Sequence, residues 1–389
     1  MKKILPILLI ITLIAALASC GKNDNNIPDV TDTQENCNGY GSTDRICESK
    51  DSFYLLRDSY IFVVDKKSHK CRPLCNKPDC PHDKYTGGYN TNYCNAFAMS
   101  NLDAIDYYGG KLYFTTTKDE KDKDGNIITY NMITRMNPDG TGREDIYTTM
   151  EKIFDDIKVH RGYVYSHIES IKQENSAWDT KGLEESQLCR LPVSGGEWEK
   201  LDIKKPEGKF LISDYRIYGD TIYTLYSVKD KNIITTYNLK NNKAYDITDN
   251  FKPKPEWVFT VMNNKLYFDN GNTVYKSELD GTDCKKVVDL SEKYKEYNKF
   301  RVYNKDGINV YITAFKGDNS PDSLLILLDK NGKTKSFKLP KNIVLKSAGD
   351  VDGQVFMKSE EDSDCFYYLD KTKLGTKAFM TKIYEQNLG

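Results

Sequence analysis

Histidine is scarce in this chain, and neither sign of charge is in excess. Among 389 residues there are four histidines, and 56 Lys and Arg residues against 57 Asp and Glu residues give a net charge of −1. So few histidines leave few general bases that work near neutral pH. Because positive and negative residues alternate without a basic stripe, the sequence gives no support for nucleic-acid binding.

Several catalytic motifs are also missing from the sequence. It contains no Gly-x-Ser-x-Gly elbow of a hydrolase, no His-Glu-x-x-His metal helix and no glycine-rich phosphate loop. Acidic residues are so numerous that a carboxylate pair of the glycosidase type stays open. We therefore expect a protein that binds rather than an enzyme.

The N-terminus predicts export and anchoring. Lys2 and Lys3 precede an apolar run over residues 4–16, which is typical of a secretory signal and shorter than the roughly 20 residues of a membrane-spanning helix. The sequence Leu-Ala-Ser-Cys at residues 17–20 resembles the lipobox of bacterial lipoproteins. This resemblance implies that residues 1–19 are a signal peptide and that the thiol of Cys20 carries a diacylglyceryl group. We expect a lipid-anchored protein on the extracytoplasmic face of the cell membrane.

A polar segment separates this anchor from the body of the chain. Residues 21–43 are rich in Asn, Asp, Gly and Thr and have no hydrophobic periodicity, so they cannot bury enough apolar surface to order themselves. We expect residues 20–43 to be the lipidated cysteine with a flexible tether. Residues 44–389 are then a single domain.

The body of the chain repeats a β-hairpin pattern. In IDYYGGKLYFTTT (105–117) and VMNNKLYFDN (261–270), an apolar strand, a turn of Gly or Asn, and an alternating strand with an aromatic follow one another. The aligned aromatics are Tyr113, Tyr165, Tyr223, Tyr267, Tyr311 and Phe356. They recur at a period of about 44 residues, with insertions in the first two intervals.

A second hairpin follows the first in most units, often through a turn such as Asp139-Gly140 or Asp280-Gly281. Four strands per unit predict an all-β fold, a β-propeller of four-stranded blades. We expect seven blades, with six as the alternative. The first unit, Ser52 to Cys75, lacks a convincing first strand, and we expect the C-terminal segment Lys377 to Tyr384 to supply it and close the ring.

The repeated units resemble known propeller blades. The form GGKLYF…ITRMNPDGTGRE (109–144) is similar to blades of the low-density-lipoprotein-receptor type and the TolB type. Together with the lipobox and the stretch LCNKPDCPHD…YCNAF (74–97), the chain resembles a group of surface lipoproteins of clostridia-like bacteria. The resemblance implies architecture and location. The repeated Tyr-Trp-Thr-Asp of the receptor family is absent, so receptor-style ligand binding is not carried over.

A cysteine-rich loop at residues 71–95 interrupts the repeats after the first unit. We expect its cysteines to form disulfides, because cysteines outside the cytoplasm usually pair. Cys75, Cys80, His82 and Cys94 could instead offer three sulfurs and an imidazole to zinc. Reduced thiols are a third possibility. We thus expect no cofactor, with zinc as the alternative.

Some aromatic residues lie outside the repeat and could contact a ligand. They are Tyr85, Tyr89 and Tyr93 in the cysteine-rich loop and Trp178 in an insertion at 168–186. Binding residues often sit on variable loops at one face of a rigid scaffold. We therefore predict a membrane-anchored binding module for a glycan, peptide or envelope protein. The alternative is an extracytoplasmic hydrolase or lyase that acts on polysaccharide or peptide.

Overall fold

The computed structural model of the chain covers most of the predicted domain. The described residues are 35–36, 46–57, 59–80, 82, 94–99, 104–170, 187–207, 210–228, 231–256, 259–305, 309–317, 323–339, 343–344, 353–358, 365–370, 373–374, 376 and 380–385. The predicted signal peptide and Cys20 lie outside them. Within these residues, no helix has the length and apolar character needed to cross a membrane.

The described residues form β-strands joined by turns, with one short 3-10 helix at Thr248–Asn250. The strands are β1 Glu35–Asn36, β2 Ile46–Glu48, β3 Ser52–Arg57, β4 Tyr60–Asp65, β5 Cys71–Pro73, β6 Ile105–Tyr108, β7 Lys111–Lys121, β8 Ile127–Met136, β9 Glu144–Thr149, β10 Lys152–His160, β11 Tyr163–Ser170, β12 Gln187–Pro192, β13 Glu199–Lys200, β14 Leu211–Tyr218, β15 Thr221–Val228, β16 Lys231–Asn238, β17 Lys243–Asp246, β18 Phe259–Met262, β19 Lys265–Asn270, β20 Thr273–Ser277, β21 Lys285–Asp289, β22 Lys299–Lys305, β23 Asn309–Phe315, β24 Ser323–Asp329, β25 Thr334–Lys338, β26 Ile343–Val344, β27 Gly353–Lys358, β28 Cys365–Asp370 and β29 Met380–Glu385.

In the described part of the chain these strands form seven sheets, each built from four consecutive antiparallel strands. We number the sheets in chain order: sheet 1 is β2–β5, sheet 2 β6–β9, sheet 3 β10–β13, sheet 4 β14–β17, sheet 5 β18–β21, sheet 6 β22–β25 and sheet 7 β26–β29. Strand β1, which lies in the predicted tether, pairs with β14 at the edge of sheet 4. Repeated four-stranded sheets of this kind are the blades of a propeller. The predicted all-β propeller of four-stranded blades is therefore confirmed.

The repeated aromatics lie on the second strands of sheets 2 to 7, and five of them are almost fully buried. This holds for Tyr113, Tyr165, Tyr223, Tyr267 and Tyr311. Tyr113 of sheet 2 packs in one cluster with Val159 of sheet 3. Tyr267 of sheet 5 packs likewise with Val302 of sheet 6. The apolar core thus lies between successive sheets, and each sheet is stabilised by its neighbour.

The turns of the outer hairpins make close contacts with the preceding sheet. Gly140 in sheet 2 has φ +87°, and a Cβ there would lie 2.7 Å from the carbonyl oxygen of Leu74, just after sheet 1. Gly195 in sheet 3 has φ +86°, and its Cβ would lie 2.8 Å from the carbonyl oxygen of Ile146 in sheet 2. Only glycine meets both the backbone angle and the space. The turns that reveal the hairpins in the sequence therefore also join neighbouring sheets.

Buried carboxylates connect some neighbouring sheets. Asp106 of sheet 2 accepts a hydrogen bond of 2.6 Å from the amide of Val159 in sheet 3. Asp269 of sheet 5 accepts one of 2.8 Å from the amide of Val302 in sheet 6. Burial raises the pKa of Asp269 to about 7, although the bond from Val302 opposes the rise. A carboxyl in this position is costly to ionise.

The predicted closure of the first unit by Lys377 to Tyr384 is wrong. Strand β2, Ile46–Glu48, pairs with β3 and supplies the first strand of sheet 1. Strand β29, Met380–Glu385, pairs with β28 within sheet 7. Three residues are too few to show the alternation that identifies a strand in a sequence, which is why β2 gave no signal.

Candidate metal centre

Four side chains of the cysteine-rich loop come together beside the last strand of sheet 1. They are Cys75, Cys80, His82 and Cys94, which we call the Cys3His cluster. The chain leaves sheet 1 after β5 and comes back to it through an isolated antiparallel bridge between Phe97 and Tyr60, the first residue of β4. This return brings the second half of the loop against the first.

The distances within the Cys3His cluster suit a metal ion. Its four ligand atoms all lie within 4.8 Å of one another. The Nδ1 atom of His82 lies 3.5 Å from the Sγ atom of Cys94. A tetrahedral zinc ion with Zn–S bonds of about 2.3 Å requires sulfur atoms about 3.8 Å apart. The side chains are therefore close to the arrangement that such an ion needs.

The cluster stands partly in the apolar core. Cys75 and Cys94 are buried within the hydrophobic cluster that joins sheets 1 and 2, and Cys80 packs against it. His82 is half-buried and has φ +53°. A left-handed backbone is uncommon for a residue with a side chain. At His82 it accompanies an imidazole that faces the thiols.

The thiols influence each other's ionisation. Burial raises the pKa of Cys94 to about 12, and the neighbouring thiols of Cys80 and Cys75 add to the rise. Burial acts in the same direction on Cys75, but hydrogen bonds from the amides of Lys77 and Asn95 and from the thiols of Cys94 and Cys80 together outweigh it, so the pKa of this thiol is lowered. Three adjacent thiols cannot all ionise without a cation between them, because like charges repel.

Residues of sheet 2 hold the returning half of the loop. The side-chain amide of Asn95 donates to Asn76 Oδ1 at 2.9 Å and to the carbonyl oxygen of Gly140 at 2.8 Å. The guanidinium of Arg143 donates to the carbonyl oxygens of Asn95, at 3.1 Å, and Phe97. Both sides of the loop are thereby fixed by groups that do not belong to the cluster.

The set of four residues proposed from the sequence as an alternative is thus brought together in space. The disulfides expected first are not seen, because the cysteines whose side chains the structure describes form no disulfide with one another. These cysteines are Cys47, Cys71, Cys75, Cys80, Cys94, Cys189 and Cys284. Three thiols and an imidazole are the donor types that zinc prefers in tetrahedral sites.

The other candidate residues are not tested by the structure. Tyr85, Tyr89 and Tyr93 lie outside the described residues, as do Trp178 and the lipid-attachment residue Cys20. Their roles stay predictions. His82 and Cys94, which flank the segment 83–93, are the nearest described positions to the three tyrosines.

The three other histidines contact neighbouring groups of the fold or are buried. The ring of His69 lies 4.2 Å from that of Tyr368, measured between centroids. The Nε2 atom of His160 is 2.7 Å from the carbonyl oxygen of Gly219, and His167 is buried. None of the three belongs to the Cys3His cluster. Among the four histidines, His82 is therefore the one that lies at the cluster, and no second histidine could act there as a general base.

An open cleft of about 420 Å³ lies between sheets 4 and 5. Tyr223, Tyr245, Asp246 and Asp280 are among the residues that line it. Tyr245 is 52% exposed. The cleft has two carboxylates but no histidine or cysteine, so the Cys3His cluster is the stronger candidate site.

Sequence reasoning missed Arg143 and Asn95. A single arginine after a turn and a single asparagine after a cysteine carry no pattern. Arg143 becomes recognisable only once the turn at Gly140 is seen against Leu74. No signal in the sequence identifies either residue as support for the cluster.

Comparison with known proteins supports the fold. No protein-family model and no curated protein matches the chain. A structure from a study of two prolyl endopeptidases has a TM-score of 0.55 at 10% identity, covering 95% of this chain and 53% of that one. A puromycin hydrolase gives 0.57 at 10% identity, covering 89% and 54%. An acylaminoacyl peptidase of Pyrococcus horikoshii gives 0.51 at 11% identity, covering 90% and 53%. The chain spans about half the length of these three proteins, and at such identity the likeness shows the fold alone.

Proposed function

We propose that the protein is a lipid-anchored, extracytoplasmic β-propeller that binds a glycan, a peptide or an envelope protein. The observation that carries this proposal is the position of the Cys3His cluster at the two ends of one loop. His82 precedes residues 83–93 and Cys94 follows them, and both belong to the Cys3His cluster, so both ends of this segment lie at the same place. Loops on rigid scaffolds are the usual place for binding residues. Tyr85, Tyr89 and Tyr93 would be its contact residues, with Trp178 as a further one.

A closed ring is part of the proposal. The ring of Tyr368 in sheet 7 lies 5.9 Å from that of Phe53 in sheet 1, between centroids. Both residues also share an apolar cluster. Such contacts support seven blades in a ring whose first and last sheets meet. A ring of this kind protects its sheet edges from pairing with other chains and offers a rigid base for the loop.

The anchor is proposed from the lipobox. Acylation of Cys20 would hold the propeller at the membrane, since each buried methylene of an acyl chain contributes about 0.8 kcal/mol. The polar segment after Cys20 would then set the distance of the binding face from the membrane. Labelling with a radioactive fatty acid, lost in Cys20→Ser, tests this part.

The alternative is a hydrolase or lyase that acts on polysaccharide or peptide. It would need acidic or histidine side chains to meet in a site open to substrate. His69, His160 and His167 are each engaged or buried within the fold, which favours binding over catalysis. The lipobox resemblance and the bracketed loop likewise support binding.

A binding screen tests the proposal. The full chain would be presented to arrays of glycans, peptides and envelope proteins, beside a triple variant with Tyr85, Tyr89 and Tyr93 changed to Ala. We expect the triple variant to lose affinity by at least about tenfold, because one anchoring aromatic often contributes more than about 1.4 kcal/mol. Tyr245→Ala, which removes an exposed tyrosine from sheet 4, is the matched control and should bind normally. Unchanged binding by the triple variant, or turnover of a screened compound, would contradict the proposal.

A further inference from the structure

The Cys3His cluster has a donor set that is complete in itself. Its ligand atoms are three sulfurs and one imidazole nitrogen, all within 4.8 Å of one another. A disulfide between any two of the cysteines would leave the third thiol and the imidazole unused in a half-buried place. A single metal ion would use all four donors at once.

The types of donor select the metal. Thiolate and imidazole ligands in a tetrahedral arrangement suit zinc, whereas calcium and magnesium require oxygen ligands. No carboxylate belongs to the described cluster. Among divalent ions that accept sulfur, zinc binds more tightly than iron at the same ligands.

We propose that Cys75, Cys80, His82 and Cys94 bind one structural zinc ion that fastens the cysteine-rich loop to the junction of sheets 1 and 2. All four positions of the tetrahedron are protein ligands. A catalytic zinc keeps one position open for water or substrate. The role of the ion is therefore to hold the chain.

The surroundings fit a site that holds chain segments together. Cys75 follows sheet 1, while Cys94 comes directly before Asn95, whose side chain and carbonyl oxygen are bound by Gly140 and Arg143 in the connection between β8 and β9 of sheet 2. Zinc would thus join three pieces of the loop: its start, its turn at Cys80 and His82, and its return. Zinc bound only in the folded state also stabilises that state.

Metal analysis of the full chain is the test, and it does not depend on whether the loop binds a partner. The chain would be purified in detergent under reducing conditions without chelator, and its zinc, iron and sulfhydryl contents measured. We expect one zinc per chain. The double variant Cys80→Ser with His82→Asn, which keeps the two buried cysteines, should lose the zinc. Cys284→Ser, outside the cluster, is the matched control and should keep it.

Two further measurements make the test decisive even if the double variant folds poorly. Replacement of zinc by Co²⁺ should produce the intense visible bands of a tetrahedral thiolate site in the wild-type chain. Removal of zinc by a chelator should lower its Tm and should not change the Tm of the double variant. Iron in place of zinc, a chain without metal, zinc retained by the double variant, or a disulfide among the three cysteines would each overturn the proposal.

Discussion

The tetrapeptide Lys-Leu-Tyr-Phe occurs twice, at residues 111–114 in sheet 2 and 265–268 in sheet 5. Both copies begin a second strand, and in both the tyrosine and phenylalanine are buried. The surroundings of the two phenylalanines differ. Phe268 packs against the rings of Phe251 and Tyr275, with centroids 5.5 and 5.8 Å away.

Phe114 instead has the guanidinium of Arg143 over its ring, 5.3 Å from the centroid. The same guanidinium binds the carbonyl oxygens of Asn95 and Phe97. The comparison shows that the repeat determines the strand and its buried phenylalanine. The groups that pack on this phenylalanine differ from one sheet to another. Between sheets 5 and 4 the covering is apolar. Between sheets 2 and 1 an apolar cluster is joined by the guanidinium of Arg143, which connects the ring to Asn95 beside the Cys3His cluster.

The largest effect is expected when each phenylalanine is removed. Phe114→Ala and Phe268→Ala should each lower the free energy of unfolding by about 3–5 kcal/mol, because both leave a cavity in a packed core. Only Phe114→Ala should also speed amide hydrogen exchange over residues 94–99, since Arg143 loses the ring beneath it. Exchange measured by mass spectrometry checks this. Equal exchange in both variants would mean that the two junctions do not differ as described.

The sequence predicts the repeated strands of this comparison, but it does not predict the contacts that make the two junctions differ. The two Lys-Leu-Tyr-Phe strands, their turns and the blade pattern follow from alternation and glycine positions. The set Cys75, Cys80, His82 and Cys94 is recognisable as metal-binding residue types. The spacing of Cys75 and Cys80, with four residues between them, is not usual for zinc, so the sequence favours disulfides. The convergence depends on the Tyr60–Phe97 bridge and on Arg143, which are contacts between distant parts of the chain. Local patterns do not encode such contacts.

A smaller effect is expected at the turn that meets the cysteine segment. Gly140→Ala should destabilise the protein by about 2–3 kcal/mol, since it combines a left-handed backbone angle with a contact of 2.7 Å to Leu74. Gly110→Ala is the control, because its φ is also positive, +81°, but nothing lies within 4 Å of the added Cβ. It should cost only about 1 kcal/mol. Denaturant unfolding of both variants measures the difference, and equal losses would remove the contact from the explanation.

The smallest effect is expected at the junction of sheets 5 and 6, as a dependence on pH. The folded-state pKa of Asp269, about 7, lies above its unfolded value, so this group makes the folded protein less stable as pH rises from about 4 to 7. Asp269→Asn keeps an acceptor for the amide of Val302 but cannot ionise. The variant should gain about 1 kcal/mol over wild type at pH 8, after the cost of burying its amide, and less at pH 5.

Unfolding by urea at both pH values measures this effect. Asp280→Asn, at an outer turn of sheet 5 where hydrogen bonds from Thr282 lower the carboxyl pKa, is the control and should show no such gain at high pH. If the free energy of unfolding changes between pH 5 and 8 by the same amount in wild type and in Asp269→Asn, the role given to this carboxyl is contradicted.

The most direct test of the zinc-fastened junction is a crystal structure of the full chain with anomalous data collected on both sides of the zinc absorption edge. We expect one anomalous peak surrounded by the Sγ atoms of Cys75, Cys80 and Cys94 and by a ring nitrogen of His82, with Zn–S distances of about 2.3 Å. Density for a disulfide among these cysteines, or no peak at this position in zinc-supplemented protein, would contradict the zinc-fastened loop.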